Sequence, residues 1–155
     1  MANIIFFSFR GTFSEKVLNA LPVSEKYFIL SNLAEIDVFI QRIAFLEPDF
    51  VIGFGDYSGK DQDRLRIETI CTNKFRKSLP DSNLIELGIS EFLIAKTHSK
   101  YAKRIGNSFC NLISYRMMQK ISHLKLETKY AFVHIPKTFQ IDTAVDELKS
   151  ILSFR

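Results

Sequence analysis

One cysteine and one histidine lie near the predicted ends of a helix and a strand. Together these residue types can act as a nucleophile and its base. Cys110 follows the loop 106–109 at the predicted start of a helix, where unpaired backbone N–H groups and the positive helix end favour a thiolate and could stabilise an oxyanion. A small buried core residue would fit the same position. His134 lies in a short apolar run that ends at Pro136, near the carboxyl edge of a predicted strand. A lone strand histidine is more often a core residue, but a helix-start cysteine in the same chain favours a catalytic pair.

Glu68 is a carboxylate between apolar neighbours. A buried carboxylate needs a partner such as an imidazole N–H, so Glu68 could orient the base. The alternative is a strand-surface glutamate paired with Arg66 or Arg64. His98 and His123 lie in polar neighbourhoods and are predicted to be surface residues.

The remaining motifs exclude several site classes. Glycines at 53, 55 and 59 lack both the Walker spacing and the dinucleotide-binding fingerprint. Cys71 and Cys110 show neither a CxxC motif nor a Cys/His ligand spacing, which argues against a zinc site and a disulfide scaffold. We therefore expect no cofactor and no metal.

Composition favours one globular domain covering residues 1–155, because 46% of the chain is hydrophobic and 13% aromatic. The net charge is +4, and the densest basic stretch, residues 96–104, is predicted to be a solvated helix face rather than a nucleic-acid site. We expect no membrane segment and a cytoplasmic location. The 15 phenylalanines are compatible with self-association, so a homo-oligomer is one expectation.

Short apolar runs alternate with helical patterns along the chain. Ser14, Asn32 and Asp142 are predicted to cap helices. The predicted strands cover 3–9, 27–30, 49–54, 65–73 and 130–135, and the predicted helices cover 15–21, 32–47, 91–98, 107–124 and a segment from 142. This pattern predicts an α/β fold, a three-layer α/β/α sandwich with a mostly parallel twisted sheet, in which ligands bind at the carboxyl ends of strands.

Four segments resemble the pyroglutamyl peptidase I family, the pyrrolidone-carboxylate peptidases, which are cysteine peptidases. Residues 48–55 resemble the family's glycine-ended strand, and residues 68–81, with Glu68, Asn73 and Pro80-Asp81, resemble its Glu-Arg-x-Ala-x-Asn segment and the following Pro-Asp-Asn. The other two are Gly106-x-x-x-Cys110-Asn111-x-x-x-Tyr115 and the segment 132–136, Phe-Val-His-Ile-Pro.

The resemblance implies one peptidase domain over residues 1–155, with Cys110 as nucleophile, His134 as general base and acid, and Glu68 as the carboxylate that orients His134. It also implies Asp81 as a buried structural acid near the site. The family's Gly-Phe-Glu-Pro-Phe-Gly-Gly loop corresponds to residues 8–13, of which Phe9 and Phe13 match its aromatics.

The substrate-binding candidates are Phe9, Phe13 and Phe109, the last in place of an aromatic that the family carries where this chain has Ser108. Two arginines of the family are also replaced, by Thr69 and Ser78.

The predicted function is removal of an N-terminal pyroglutamyl group through a thioester, from a peptide or small amide with a blocked N-terminus. Two alternatives remain at this stage. One is a catalytically silent relative that binds a peptide or a protein, and the other is a cysteine amidase for another small acyl amide.

Overall fold

The structure is a computed structural model, and it describes residues 2–22, 26–73, 75, 84–87, 93–96, 98–103 and 105–152. The strands are β1 (Ile4–Phe9), β2 (Lys26–Leu30), β3 (Phe50–Tyr57), β4 (Leu65–Glu68), β5 (Ile70–Thr72), β6 (Leu84–Glu86), β7 (Ser99–Ala102) and β8 (Lys129–Pro136). The helices are α1 (Phe13–Ala20), α2 (Leu33–Leu46), α3 (Phe109–Leu124) and α4 (Ile141–Ile151). No helix in the described ranges combines the length and hydropathy of a membrane span.

The described strands form one large sheet and one small ribbon. The sheet has the order β2-β1-β3-β8-β4-β7, and β5 pairs with β6 in an antiparallel ribbon. Neighbouring strands of the sheet are parallel, except that β4 runs antiparallel to β8. α1 packs against α4, and α2 packs against α3 on the opposite face of the sheet. The predicted α/β/α layering with a mostly parallel sheet is confirmed.

The central strands are apolar on both faces because helices cover each side. Phe6 of β1 stacks on Phe54 of β3 with ring centroids 5.8 Å apart, beneath α1. Phe7, the next residue of β1, points to the other face and meets Phe39 of α2 at 5.1 Å. This alternation is the period of two expected of a strand, and it explains why these strands read as short continuous apolar runs.

Local hydrogen bonds set the helix starts. Asn32 caps α2 as predicted, since its Oδ1 accepts a hydrogen bond from the Glu35 N–H at 3.0 Å. The predicted cap at Ser14 is wrong: Thr12 occupies the N-cap of α1, where its hydroxyl accepts from the Glu15 N–H at 3.1 Å. Ser14 is instead a buried residue inside the helix.

Two other predicted boundaries also shift. The run 65–73 is not one strand, because the Thr69 N–H and hydroxyl both donate to the Ala102 carbonyl at 2.8 Å, at the point where the chain leaves β4 for β5. At the last helix, Gln140 is the N-cap residue, and Asp142 lies within the first turn. There its carboxylate still interacts favourably with the positive end of the helix.

The segment before α3 differs most from the prediction. Residues 93–96 are not helical, so the helix predicted at 91–98 is wrong, and Leu93 forms an isolated bridge with Leu152 instead. The basic stretch predicted as a solvated helix face contains β7, an edge strand, whose charged side chains suit an exposed sheet edge. The predicted structural acid Asp81 lies outside the described residues.

Candidate active site

Three elements bring the predicted site residues to one face of the sheet. Glu68 ends β4, His134 lies in β8, and Cys110 is the second residue of α3, which packs on β8. In the antiparallel β4–β8 register Arg66 lies opposite His134. Because side chains two residues apart on a strand share a face, Glu68 projects on the same side as Arg66 and His134.

The carboxylate and the imidazole form a buried pair. His134 Nδ1 lies 2.8 Å from Glu68 Oε1, and the two side chains are 8% and 0% exposed. A carboxylate accepts, so Nδ1–H is the donor and Nε2 carries the free lone pair of the neutral ring. The alternative prediction, a glutamate on the strand surface, is therefore wrong, because Glu68 is buried. Its predicted partner Arg66 does lie close, with Arg66 Nε 3.6 Å from Glu68 Oε1.

The environment of His134 favours its protonated form. Burial lowers the pKa of His134, but its hydrogen bonds with Cys110 and Glu68, together with the negative charge of both groups, outweigh that effect and raise the pKa from 6.5 to about 9. The imidazole therefore contacts the thiol on one side and the carboxylate on the other. A cysteine sulfur beside an imidazole is the arrangement of a nucleophile with its base.

Cys110 lies against the backbone of β3, and only glycine fits there. A Cβ added to Gly55 would stand 2.8 Å from Cys110 Sγ and 2.9 Å from the ring of Phe132. Cys110 as a residue is 8% exposed, so it is nearly but not completely buried. The other cysteine differs: Cys71 is fully buried, and burial raises the pKa of its thiol to about 12.

The first turn of α3 is held to the neighbouring ribbon. Asn111 is fully buried, its Oδ1 accepts from the Thr72 N–H at 2.8 Å, and its Nδ2 donates to the Thr72 carbonyl at 2.8 Å. Ser108 occupies the N-cap of α3 but makes no side-chain capping bond. The N–H groups of a first helical turn point away from the helix, so this end of α3 can receive negative charge beside Cys110.

Two of the predicted substrate-binding aromatics lie together. Phe9, at the carboxyl end of β1, stacks on Phe109 with centroids 6.2 Å apart and an interplanar angle of 26°. Phe75 packs on Phe109 at 5.3 Å. Phe13, the first residue of α1, is partly buried, and its N–H donates to Asp56 at 3.0 Å. The described ring contacts join Phe9 and Phe109 but do not include Phe13.

Sequence reasoning missed several neighbours of the site. Tyr57 covers Arg66, with the guanidinium carbon 4.3 Å from the ring centroid, and Phe75 extends the aromatic surface next to Phe109. The predicted strand end at residues 53–55 is wrong, because β3 continues to Tyr57 and Gly55 lies inside it, where its backbone packs against the Cys110 sulfur. The only signal for Tyr57 was its period-two spacing from Gly55, which places both on one strand face.

The arrangement brings together a thiol, an imidazole and a carboxylate that holds the imidazole. This set suits attack on a carbonyl carbon followed by proton donation to the leaving group. Among the described residues, no three His, Cys, Asp or Glu side chains are grouped so that they could hold a metal ion.

Comparison with known proteins finds similarity in structure only. No protein-family model matches the chain, and no curated protein matches it in sequence. Among solved structures, pyroglutamyl peptidase I from Bacillus amyloliquefaciens superposes with a TM-score of 0.73 at 16% identity, covering 98% of this chain and 95% of that one. Pyrrolidone carboxyl peptidase from Thermococcus litoralis gives 0.72 at 14% identity, with 96% and 90% covered.

The pyrrolidone carboxyl peptidase from Thermus thermophilus gives a TM-score of 0.66 at 17% identity, with 96% of this chain and 97% of that one covered. The superpositions therefore extend over nearly the whole length of both partners, as the resemblance in four segments predicted. This chain has the fold of the pyroglutamyl and pyrrolidone carboxyl peptidases.

Proposed function

We propose that this chain is a cysteine peptidase that removes N-terminal pyroglutamyl groups from peptides through a thioester intermediate, and that residues 1–155 act as one peptidase domain. The observation that carries the proposal is the position of His134 between Glu68 and Cys110. The second support is the shared fold with proteins named pyroglutamyl peptidase.

In the proposed acylation step the Cys110 thiolate attacks the carbonyl carbon of the pyroglutamyl residue. As the carbon–nitrogen bond breaks, the imidazolium of His134 gives its Nε2 proton to the leaving amine. Glu68 holds the ring through Nδ1, so that Nε2 stays directed at the sulfur. The products of this step are the free amine of the shortened peptide and a thioester on Cys110.

In the deacylation step the neutral His134 takes a proton from water, which attacks the thioester carbon. The carbon–sulfur bond breaks, pyroglutamate leaves, and Cys110 returns as a thiolate beside the imidazolium. The negative oxygen of both tetrahedral intermediates needs donors, and the first turn of α3, which contains the Cys110 N–H, is the proposed source.

The aromatic surface of Phe9, Phe109 and Phe75 suits an uncharged flat ring such as a lactam. A ring sandwiched between two aromatic faces needs them about 7 Å apart, since carbon contacts are about 3.5 Å each. Phe9 and Phe109 are 6.2 Å apart, so a lactam must move one ring or stack on an outer face. This spacing also supports the second candidate, a cysteine amidase for a smaller or more extended acyl group.

The test is hydrolysis of a fluorogenic pyroglutamyl amide by the wild type, Cys110→Ser and Cys71→Ser. The wild type and Cys71→Ser should release fluorophore, whereas Cys110→Ser should lose at least about a thousandfold in kcat/KM. Mass spectrometry of rapidly quenched wild type should detect the acyl group on Cys110. Equal rates for the wild type and Cys110→Ser would reject the peptidase.

A panel of amides with acetyl, prolyl and pyroglutamyl groups separates the two enzyme candidates. Preference for the pyroglutamyl amide supports the lactam specificity. Faster release from another acyl amide, still dependent on Cys110, favours the amidase. Binding of a pyroglutamyl peptide without turnover would favour a silent binding protein.

A further inference from the structure

Arg66 lies close to the buried carboxylate without taking its hydrogen bond. Its Nε is 3.6 Å from Glu68 Oε1, which is within ion-pair range but longer than a hydrogen bond. Within the described residues, Arg66 Nε and Glu68 Oε2 are buried without a hydrogen-bond partner. The interaction is therefore between charges, and it leaves the lone pair of Oε1 to His134.

Tyr57 holds the guanidinium in this place. The Arg66 guanidinium carbon lies 4.3 Å from the Tyr57 ring centroid, and the Tyr57 ring is 6.4 Å from the ring of His134. Only 13% of the Arg66 side chain is exposed, so its charge is poorly screened by water. A stacked arginine keeps its charge at any pH that a folded protein tolerates.

We propose that Arg66, held by Tyr57, is a positioning residue that supplies Glu68 with a second positive charge and so limits how tightly Glu68 retains the proton on His134. A buried carboxylate needs a compensating positive charge. If His134 were the only one, it would hold its proton too strongly to donate it. Arg66 supplies a permanent positive charge next to Glu68. The same charge repels the proton on the imidazole of His134, which lies directly opposite Arg66 in the strand register.

The groups that face His134 come from three elements. Cys110 approaches from α3, Tyr57 from β3, and Glu68 and Arg66 from β4. Next to Arg66, Lys100 of β7 adds positive charge, which is partly offset by Asp61 at 3.6 Å. Removing the charge of Arg66 should therefore strengthen the hold of His134 on its proton.

The experiment is an NMR titration of the His134 ring in the wild type, Arg66→Met, Arg66→Lys and Arg64→Met. Arg66→Met should raise the titration midpoint by about 0.5 to 1 pH unit, whereas Arg66→Lys, which keeps the charge, should stay near the wild type. Arg64→Met is the matched control, because it removes the same charge from a side chain that is 50% exposed. It should leave the midpoint unchanged within about 0.2 unit.

A midpoint that is unchanged or lower in folded Arg66→Met would overturn the inference, and so would an equal rise in Arg64→Met. If Arg66→Met does not fold, Tyr57→Leu decides: loss of the stacking contact should raise the midpoint by a smaller amount, and no change overturns the inference. The inference rests on the proposed function in one respect: the proton held by His134 is the one that the proposed reaction gives to the leaving amine. A raised midpoint in a chain without pyroglutamyl hydrolysis would support the inference and reject that function.

In a chain that does hydrolyse the amide, the alkaline limb of the kcat profile should move with the midpoint. The kcat of Arg66→Met near neutral pH should fall about three- to tenfold, since a more tightly held proton is transferred more slowly. KM should change less than kcat, because the contacts described for Arg66 are with Tyr57 and Glu68 and not with the aromatic rings proposed to bind the acyl group. A change confined to KM, with kcat intact, would contradict a role in positioning the proton.

Discussion

Replacement of Gly55 by alanine tests the packing of the thiol against β3. The added Cβ would stand 2.8 Å from Cys110 Sγ and 2.9 Å from the Phe132 ring. Ordinary contacts require about 3.5 Å or more, so a neighbour must move by about 0.7 Å. Phe132 is fully buried, and the sulfur, at the tip of a short side chain on a helix end, is the group that can be displaced.

A displacement of this size should disturb the contact between Cys110 and His134. Misplacement by about 1 Å can cost about a hundredfold in rate, so we expect alkylation of Cys110 and any turnover to fall about 10- to 50-fold. Overpacking should also lower the free energy of unfolding by about 1 to 3 kcal/mol. The assays are the pseudo-first-order rate of iodoacetamide labelling at Cys110, followed by peptide mapping, and urea unfolding.

Gly53→Ala is the matched control. Its Cβ would collide with the ring of Phe7 and stand 2.6 Å from the ring of Phe132, and the sulfur is not among its nearest atoms. It should destabilise the fold at least as much while Cys110 stays reactive within about threefold of the wild type. Wild-type labelling in folded Gly55→Ala, or an equal loss of labelling in both variants, would refute the reasoning from the sulfur contact.

Three further predictions follow from the buried polar and thiol groups. The pKa of His134 is raised from 6.5 to about 9, so protonation of His134 adds about 3 kcal/mol to the free energy of unfolding. This contribution is fully present below about pH 6.5 and is lost as the pH rises through about 9. Urea unfolding at several pH values should show this loss in the wild type, and the same loss in His134→Gln would contradict it. Iodoacetamide at neutral pH should label Cys110 and spare Cys71, whose thiol has a pKa of about 12. Faster labelling of Cys71 than of Cys110 in the folded protein would contradict the assignment of Cys110 as the reactive thiol. Asn111→Leu leaves the N–H and carbonyl of Thr72 without the partners they have at 2.8 Å, so the free energy of unfolding should fall by about 2 to 4 kcal/mol, and a loss below about 1 kcal/mol would mean that water replaces the amide.

The layered fold could be predicted because its central strands and helices are strongly patterned. The segment 130–135 is apolar except for His134 and is followed by Pro136, and it lies within β8 in the structure. The edge strand β7 could not be predicted in this way. Its sequence, Ser-Lys-Tyr-Ala, has no apolar pattern, and it is a strand because β4 lies beside it. Partners that are distant in sequence outweigh weak local propensity.

The site was predictable in its residue types and not in its surroundings. The chemistry of Glu68, Cys110 and His134 and the resemblance to a peptidase family single them out in the sequence, and in the structure His134 contacts both of the others. Tyr57 and Phe75 carry no such signal, because an aromatic residue near a polar segment is common. Their positions depend on cross-strand and helix contacts that no local pattern encodes.

The pairing of β3 with β8 also has a consequence for biosynthesis. Phe50 lies beside Lys129 in this register, and Glu68 bonds a histidine 66 positions further along the chain. Contacts of such long sequence separation form slowly and late. Until β8 has left the ribosome, a nascent polypeptide lacks His134, the group that contacts Cys110 in the folded chain. The central strand β8 and the histidine that it carries are added together, so the proposed nucleophile and base can meet only when the sheet is complete.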